Sequence, residues 1–152
     1  MDLSTYILIG AAGLVLAVLW FRKRRRSTAL RAMALRRGFV YLGEAIPGSL
    51  ALHGTPMDRA DSVWNVIDGE CNGIRVVAFD CRTGSGKGSW RRTVIAARSA
   101  EDPFSGARST PDLTIDHAGN WTILYQPKTL SLILPGLMPV EQIEAHFDSI
   151  RR

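Results

Sequence analysis

The run "LSTYILIGAAGLVLAVLWF", Leu3 to Phe21, is nineteen residues long and carries no charge. At about 1.5 Å of rise per residue, a helix of that length crosses a hydrocarbon core of about 30 Å, so a transmembrane helix is the first expectation. A cleaved signal peptide would carry its positive charge before the apolar stretch and small residues at a cut site after it. Here Asp2 precedes the stretch and "RKRRR", Arg22 to Arg26, follows it, so the segment is expected to stay attached. Lys and Arg beside a span are retained on the cytoplasmic side. All the nearby basic residues lie after the helix, which predicts a single-pass protein of the inner or plasma membrane with its N-terminus outside and its domain in the cytoplasm.

The net charge of +5 resolves into two unlike parts. Residues 22–37, "RKRRRSTALRAMALRR", hold eight basic residues and no acidic one, whereas residues 38–152 hold eleven basic and thirteen acidic residues, a net of −2. The folded part is therefore not basic, and nucleic acid is not an expected partner. The basic excess sits where a topology signal belongs, and Arg22, Lys23, Arg24, Arg25 and Arg26 are the candidates for contact with anionic lipid headgroups. Within the apolar run, Gly10, Gly13 and Ala17 fall on one side of a helix. Small residues in such a stripe let two helices approach closely, so this face is the candidate for self-association into a homodimer.

The chain divides by composition into a transmembrane helix over 1–21, a basic juxtamembrane linker helix over 22–38 and a cytoplasmic domain over 39–152. The linker helix stops at Gly38, with Leu30, Ala34 and Arg37 on one stripe, and it is compatible with a continuation of the span. A brief strand follows over Phe39 to Leu42. "AIPGSLALHGTPMDRADS" is too rich in Gly and Pro to be regular throughout. "ECNGIR" then places Asn72-Gly73 between two apolar alternating runs, the strongest short signal for a two-residue type I′ hairpin.

Pairing Cys71 with Ile74 sets the register of that hairpin and brings Cys81 opposite Trp64. Ile67, Cys71, Ile74, Val76 and Ala78 then share one face, and Trp64, Val66, Val77, Phe79 and Cys81 the other. The first face reads as apolar throughout and the second only toward its base, so a second element should cover about half of it. The two cysteines lie seven residue steps apart, about 20 Å or more, beyond the reach of a disulfide. Both are expected as free thiols that serve as small core residues.

Further strands are expected over Trp90 to Ser99, Leu113 to Asp116 and Trp121 to Gln126, with a turn through His117 to Asn120. Leu130, Leu132 and Leu134 alternate as a strand would, although a buried helical turn fits as well. Val140, Ile143, Phe147 and Ile150 have helical spacing after Pro139. The fold class is α+β: an N-terminal transmembrane helix, a small antiparallel sheet of about five strands and a C-terminal helix that lies on it.

"TGSGKGSW", Thr83 to Trp90, has the composition of a phosphate-binding loop but not its pattern. A P-loop needs G-x-x-x-x-G-K-[ST] leading into a helix, because backbone N–H groups, Lys and the hydroxyl each take a separate part of the nucleotide. Here Cys81 stands at the first glycine position, Gly88 follows Lys87, and a strand follows the loop. The three alternating glycines describe a hairpin tip. What survives is a concavity in which Lys87, Arg91 and Arg92 hold an anion against backbone amides.

His53, His117 and His146 are scattered, with no metal-ligand spacing, and no nucleophile motif is present. Asp116 beside His117 is the nearest approach to an acid/base pair, at a position where turn geometry alone favours polar residues. No catalytic residue, metal or cofactor is expected.

The run "NVIDGECNGIRVVAFDCRTGSGKGSWRRTVIAA", preceded by "ALRRGFVYLGE" and a single span, resembles a group of small bacterial membrane proteins of unknown function over residues of about 28–98. The excess of arginine over lysine, sixteen to three, is in keeping with a GC-rich bacterium. The resemblance implies an anchored domain and no catalytic residue. The expected function is a membrane-tethered interaction module for a protein or lipid partner on the cytoplasmic face. The alternative is a small anionic-ligand or phosphate sensor built on Lys87, Arg91 and Arg92.

Overall fold

A computed structural model describes residues 3–84, 89–99, 103–104, 113–126 and 137–150. Its first element, α1, runs Leu3–Arg37 as one helix of 35 residues, with no break where the apolar run meets the basic run at Phe21 and Arg22. Between Leu14 and Arg37 there is no Gly or Pro, so nothing in the backbone chemistry interrupts it. It ends at Gly38, whose φ of 70° is the left-handed conformation of a helix C-cap. Gly38 N–H donates to the Leu35 carbonyl at 3.2 Å and Phe39 N–H to the Ala34 carbonyl at 2.8 Å, the Schellman pattern.

Six strands follow: β1 Val40–Gly43, β2 Ala60–Cys71, β3 Ile74–Thr83, β4 Trp90–Arg98, β5 Thr114–Ala118 and β6 Trp121–Tyr125, and then the helix α2 over Val140–Ser149. They form one antiparallel sheet in the order β1-β2-β3-β4-β6-β5, so the fold is α+β as expected, with six strands where about five were expected. His117 belongs to β5 and pairs with Thr122, because the turn of that hairpin is tighter than the sequence suggested and comprises Gly119 and Asn120. Lys87 and the alternating leucines at 130, 132 and 134 lie outside the described residues.

The β2–β3 hairpin turns through Asn72 and Gly73, at φ 52° and 78°, and pairs Cys71 with Ile74 as the Asn-Gly signal predicts. Farther along, the register slips. A bulge between Trp64 and Ile67 puts Cys81 opposite Val63 and Trp64 opposite Asp80, not Cys81 opposite Trp64. Its cause is Asn65, held at φ 56°, a left-handed conformation that Asn tolerates better than most side chains. The slip transfers Trp64 to the other face, whereas Val66, Val77, Phe79 and Cys81 keep the face assigned to them.

Both faces of the sheet are covered. On the first, Ile67, Cys71, Ile74, Val76, Ala78, Ile95 and Leu124 pack beneath Leu30, Met33 and Ala34 of α1 and Ile143 and Phe147 of α2. On the second, Val66, Val77, Phe79, Cys81, Val94, Ile123 and Trp121 pack beneath Leu50 and Met57, with Ile46 and Leu52 beside them. The cover expected over half of that face is thus the irregular 44–59 connection, tied down where Trp121 Nε1 donates to the Ser49 carbonyl at 2.9 Å. Arg36 to Glu144 and Arg37 to Asp148, each at 2.8 Å, clip the two helices together. Cys71 and Cys81 are both buried, one in each core, so the sheet itself separates their sulfurs.

Candidate functional site

On the face that packs against α1, β3 and β4 present successive cross-strand rows, Val76 with Ala97, Ala78 with Ile95 and Asp80 with Thr93, and beyond them Arg82 with Arg91. The first two rows are apolar. The third carries a carboxylate that is 1% exposed, and the helix brings the charge that it requires. Arg26 Nε donates to Asp80 Oδ2 and Arg26 Nη2 to Oδ1, both at 2.8 Å, a bidentate fork. Thr93 Oγ1 donates to Oδ1 and Asn65 Nδ2 to Oδ2, again at 2.8 Å, so each carboxylate oxygen accepts two hydrogen bonds.

The rest of the network locks the surrounding elements to this pair. Arg26 Nη1 donates to the Met138 carbonyl at 2.8 Å and Met138 N–H to Thr93 Oγ1 at 3.0 Å, which fixes the entry to α2. Ser27 Oγ and Tyr41 Oη both donate to Asn65 Oδ1 at 2.8 Å, which joins α1 and β1 to the bulge. The left-handed Asn65 is therefore the residue that turns a strand irregularity into a polar hub. Arg26 was expected among the residues contacting headgroups. Its guanidinium instead turns into the domain, because a buried carboxylate is a stronger partner than a solvated surface.

Just before Arg26 the helix leaves the sheet. Residues 4–25 are exposed over their whole length, including Ile7, Leu8, Leu14, Leu16, Trp20 and Phe21. The helix is long and apolar enough to cross a membrane, and none of its most apolar stretch is buried. Gly10 and Gly13 have open space where a Cβ would stand, and Ala17 is exposed with them. Around the helix at the level of Ser27, Trp20, Lys23, Arg24, Thr28 and Arg31 line a concavity of about 460 Å³. Arg24 lies over the Trp20 ring at 5.1 Å and Arg31 over the Tyr41 ring at 4.6 Å, cation–π contacts that hold two of its charges in place.

Of the residues expected to hold an anion, Lys87 lies outside the described residues, and Arg91 and Arg92 do not face one site. Arg91 and Arg92 are consecutive on β4 and so point to opposite faces. Arg91 is exposed beside Arg82. Arg92 is buried on the second face, its guanidinium 5.4 Å from the Tyr125 ring and 3.4 Å from Thr83 Oγ1. Tyr125 in turn donates to Asp116 Oδ2 at 2.7 Å, and burial, with help from that hydrogen bond, pushes its hydroxyl up to about 12. Arg92 is thus part of a packed aromatic corner.

Asp116 and His117, the suggested acid/base pair, likewise diverge: the carboxylate takes Tyr125, and His117 Nδ1 lies 3.3 Å from Thr122 Oγ1. Burial pushes the Cys81 thiol up to about 12 and raises that of Cys71, so neither is a thiolate at neutral pH. Among the described residues no group of three His, Cys, Asp or Glu side chains could hold a metal ion. Sequence reasoning passed over Asp80, Asn65 and Thr93. The signal was present in "RVVAFDC", where one acid interrupts a run that is otherwise buried and so calls for a counter-charge. No protein-family model, curated protein or solved structure matches the chain.

Proposed function

We propose that the protein is a membrane-tethered interaction module: a single-pass anchor that holds a small α+β domain against the cytoplasmic leaflet. The observation that carries this reading is the continuity of α1, whose bare apolar half and buried half are one helix. A soluble protein would cover such a run, and residues 4–21 are exposed with no cover among the described residues. A signal sequence is disfavoured because the same helix supplies Arg26, Leu30 and Met33 to the domain's ion pair and core. The run of basic residues after Phe21 favours a cytoplasmic domain. Arg22, Lys23, Arg24 and Arg25 are exposed and suit anionic headgroups.

On this reading, the domain presents a protein partner with a surface at fixed height and orientation. The phosphate-sensor alternative loses support from the divergence of Arg91 and Arg92. The test is labelling of a Glu70→Cys variant with a membrane-impermeant maleimide, since Glu70 is exposed near the far hairpin turn. No modification is expected in intact cells and full modification after lysis, with the protein retained in membranes after an alkaline wash. Labelling of intact cells, or release by the wash, would overturn the proposal.

A further inference from the structure

The fourth row of the sheet, Arg82 opposite Arg91, has no evident structural use. Both side chains are exposed, and neither has an ion-pair or hydrogen-bond partner among the described residues. Like charges directly opposite each other on neighbouring strands destabilise a sheet. Their position gives the pair a use. Arg26 is bonded to the preceding row, Asp80 and Thr93, and the row of Arg82 and Arg91 lies about 7 Å farther along the strands.

The direction of α1 over the sheet is set by its two ends. Arg26 meets Asp80, while Arg37 lies near Cys71 at the other end of the hairpin. The helix therefore runs antiparallel to β3, and going back from Arg26 toward its apolar half moves toward Arg82 and Arg91. One turn back, about 6 Å along the axis, is Arg22. It stands on the same side of the helix as Arg26 and at the level of the arginine row. Arg22 is also the first charge after the apolar run. In the bilayer arrangement proposed above, on which this inference rests, that level is the headgroup layer.

We infer that Arg22, Arg82 and Arg91 form a three-guanidinium site for the phosphate of an anionic phospholipid in the leaflet that faces the domain. The helix contributes one fork and the sheet contributes two. Guanidinium groups match phosphate oxygens in pairs, and a bound phosphate converts the repulsion between Arg82 and Arg91 into shared attraction. The Arg26–Asp80 pair serves as the spacer that sets helix and sheet at the same height. The sheet end thus becomes a second footing on the membrane, beside the polybasic helix.

The test is native mass spectrometry of the full-length protein in detergent, titrated with phosphatidylglycerol. The R82Q/R91Q variant is expected to bind it on the order of tenfold more weakly than wild type, and R22Q to weaken the same binding. R36Q/R75Q removes the same charge at the far end and is expected to stay within about twofold. Because Arg82 and Arg91 are exposed and repel each other, R82Q/R91Q should melt no lower than wild type. Unchanged phosphatidylglycerol binding by R82Q/R91Q would overturn the site, as would equal binding of phosphatidylcholine by wild type. Failure of the anchor itself is read elsewhere, from the alkaline wash and the maleimide labelling.

Discussion

Asp80 sits in a central strand of the sheet and is 1% exposed, where a carboxylate is costly unless its charge and its lone pairs are met. Arg26, Thr93 and Asn65 meet them with four hydrogen bonds, each of 2.8 Å. Replacing Asp80 by Ala leaves the Arg26 guanidinium, only 16% exposed, without its counter-ion. The expected loss is about 3–5 kcal/mol, read from thermal or urea unfolding of the full chain in detergent. Replacing both partners, as in R26M/D80L, removes the uncompensated charge and should recover most of the loss. A double variant as unstable as Asp80→Ala would contradict the pairing. At this scale the sequence displayed the acid but hid its partner. Arg26 lies 54 positions away within a run of five basic residues, any of which resembles a topology signal.

Elements were more legible than single residues, because their signals are local. The helix stop at Gly38, the Asn72-Gly73 turn and the apolar stripe of α2 each follow from a few neighbouring side chains. The bulge at Asn65 does not. Its geometry is fixed by Asp80, Ser27 and Tyr41, three residues from three other elements. The docking of α2 carries a titration of its own. His146 is buried in that helix, its Nε2 has no hydrogen-bond partner among the described residues, and burial lowers its pKa. The unfolded chain therefore takes up a proton near pH 6.5 while the folded one stays neutral, so stability falls as the pH drops below that value. The loss continues until the folded pKa is reached. His146→Phe should flatten the decline in Tm between about pH 7 and 5, and an unchanged slope would assign the acid sensitivity to other groups.

At the scale of the molecule, one helix has two unlike halves. Its apolar half has no partner among the described residues, and its other half is a structural member of the domain core. Composition ended the apolar run at Phe21 and divided the helix there, whereas the structure has a single rod that remains exposed through Arg25. On the membrane-anchor reading proposed above, a rod keyed by an ion pair would hold the sheet at a fixed distance and angle to the bilayer, whereas a flexible linker would let it swing. The most direct test is the distance between spin labels at Leu14→Cys and Glu70→Cys, measured by pulsed electron resonance on the full chain in lipid nanodiscs. Cys71 and Cys81 are buried and should stay unlabelled. A rise of about 1.5 Å per residue sets Leu14 and the far hairpin roughly 35–40 Å apart. The account predicts one narrow distribution in that range, which broadens when Asp80 becomes Ala. A broad or two-peaked distribution in the otherwise native chain would contradict it.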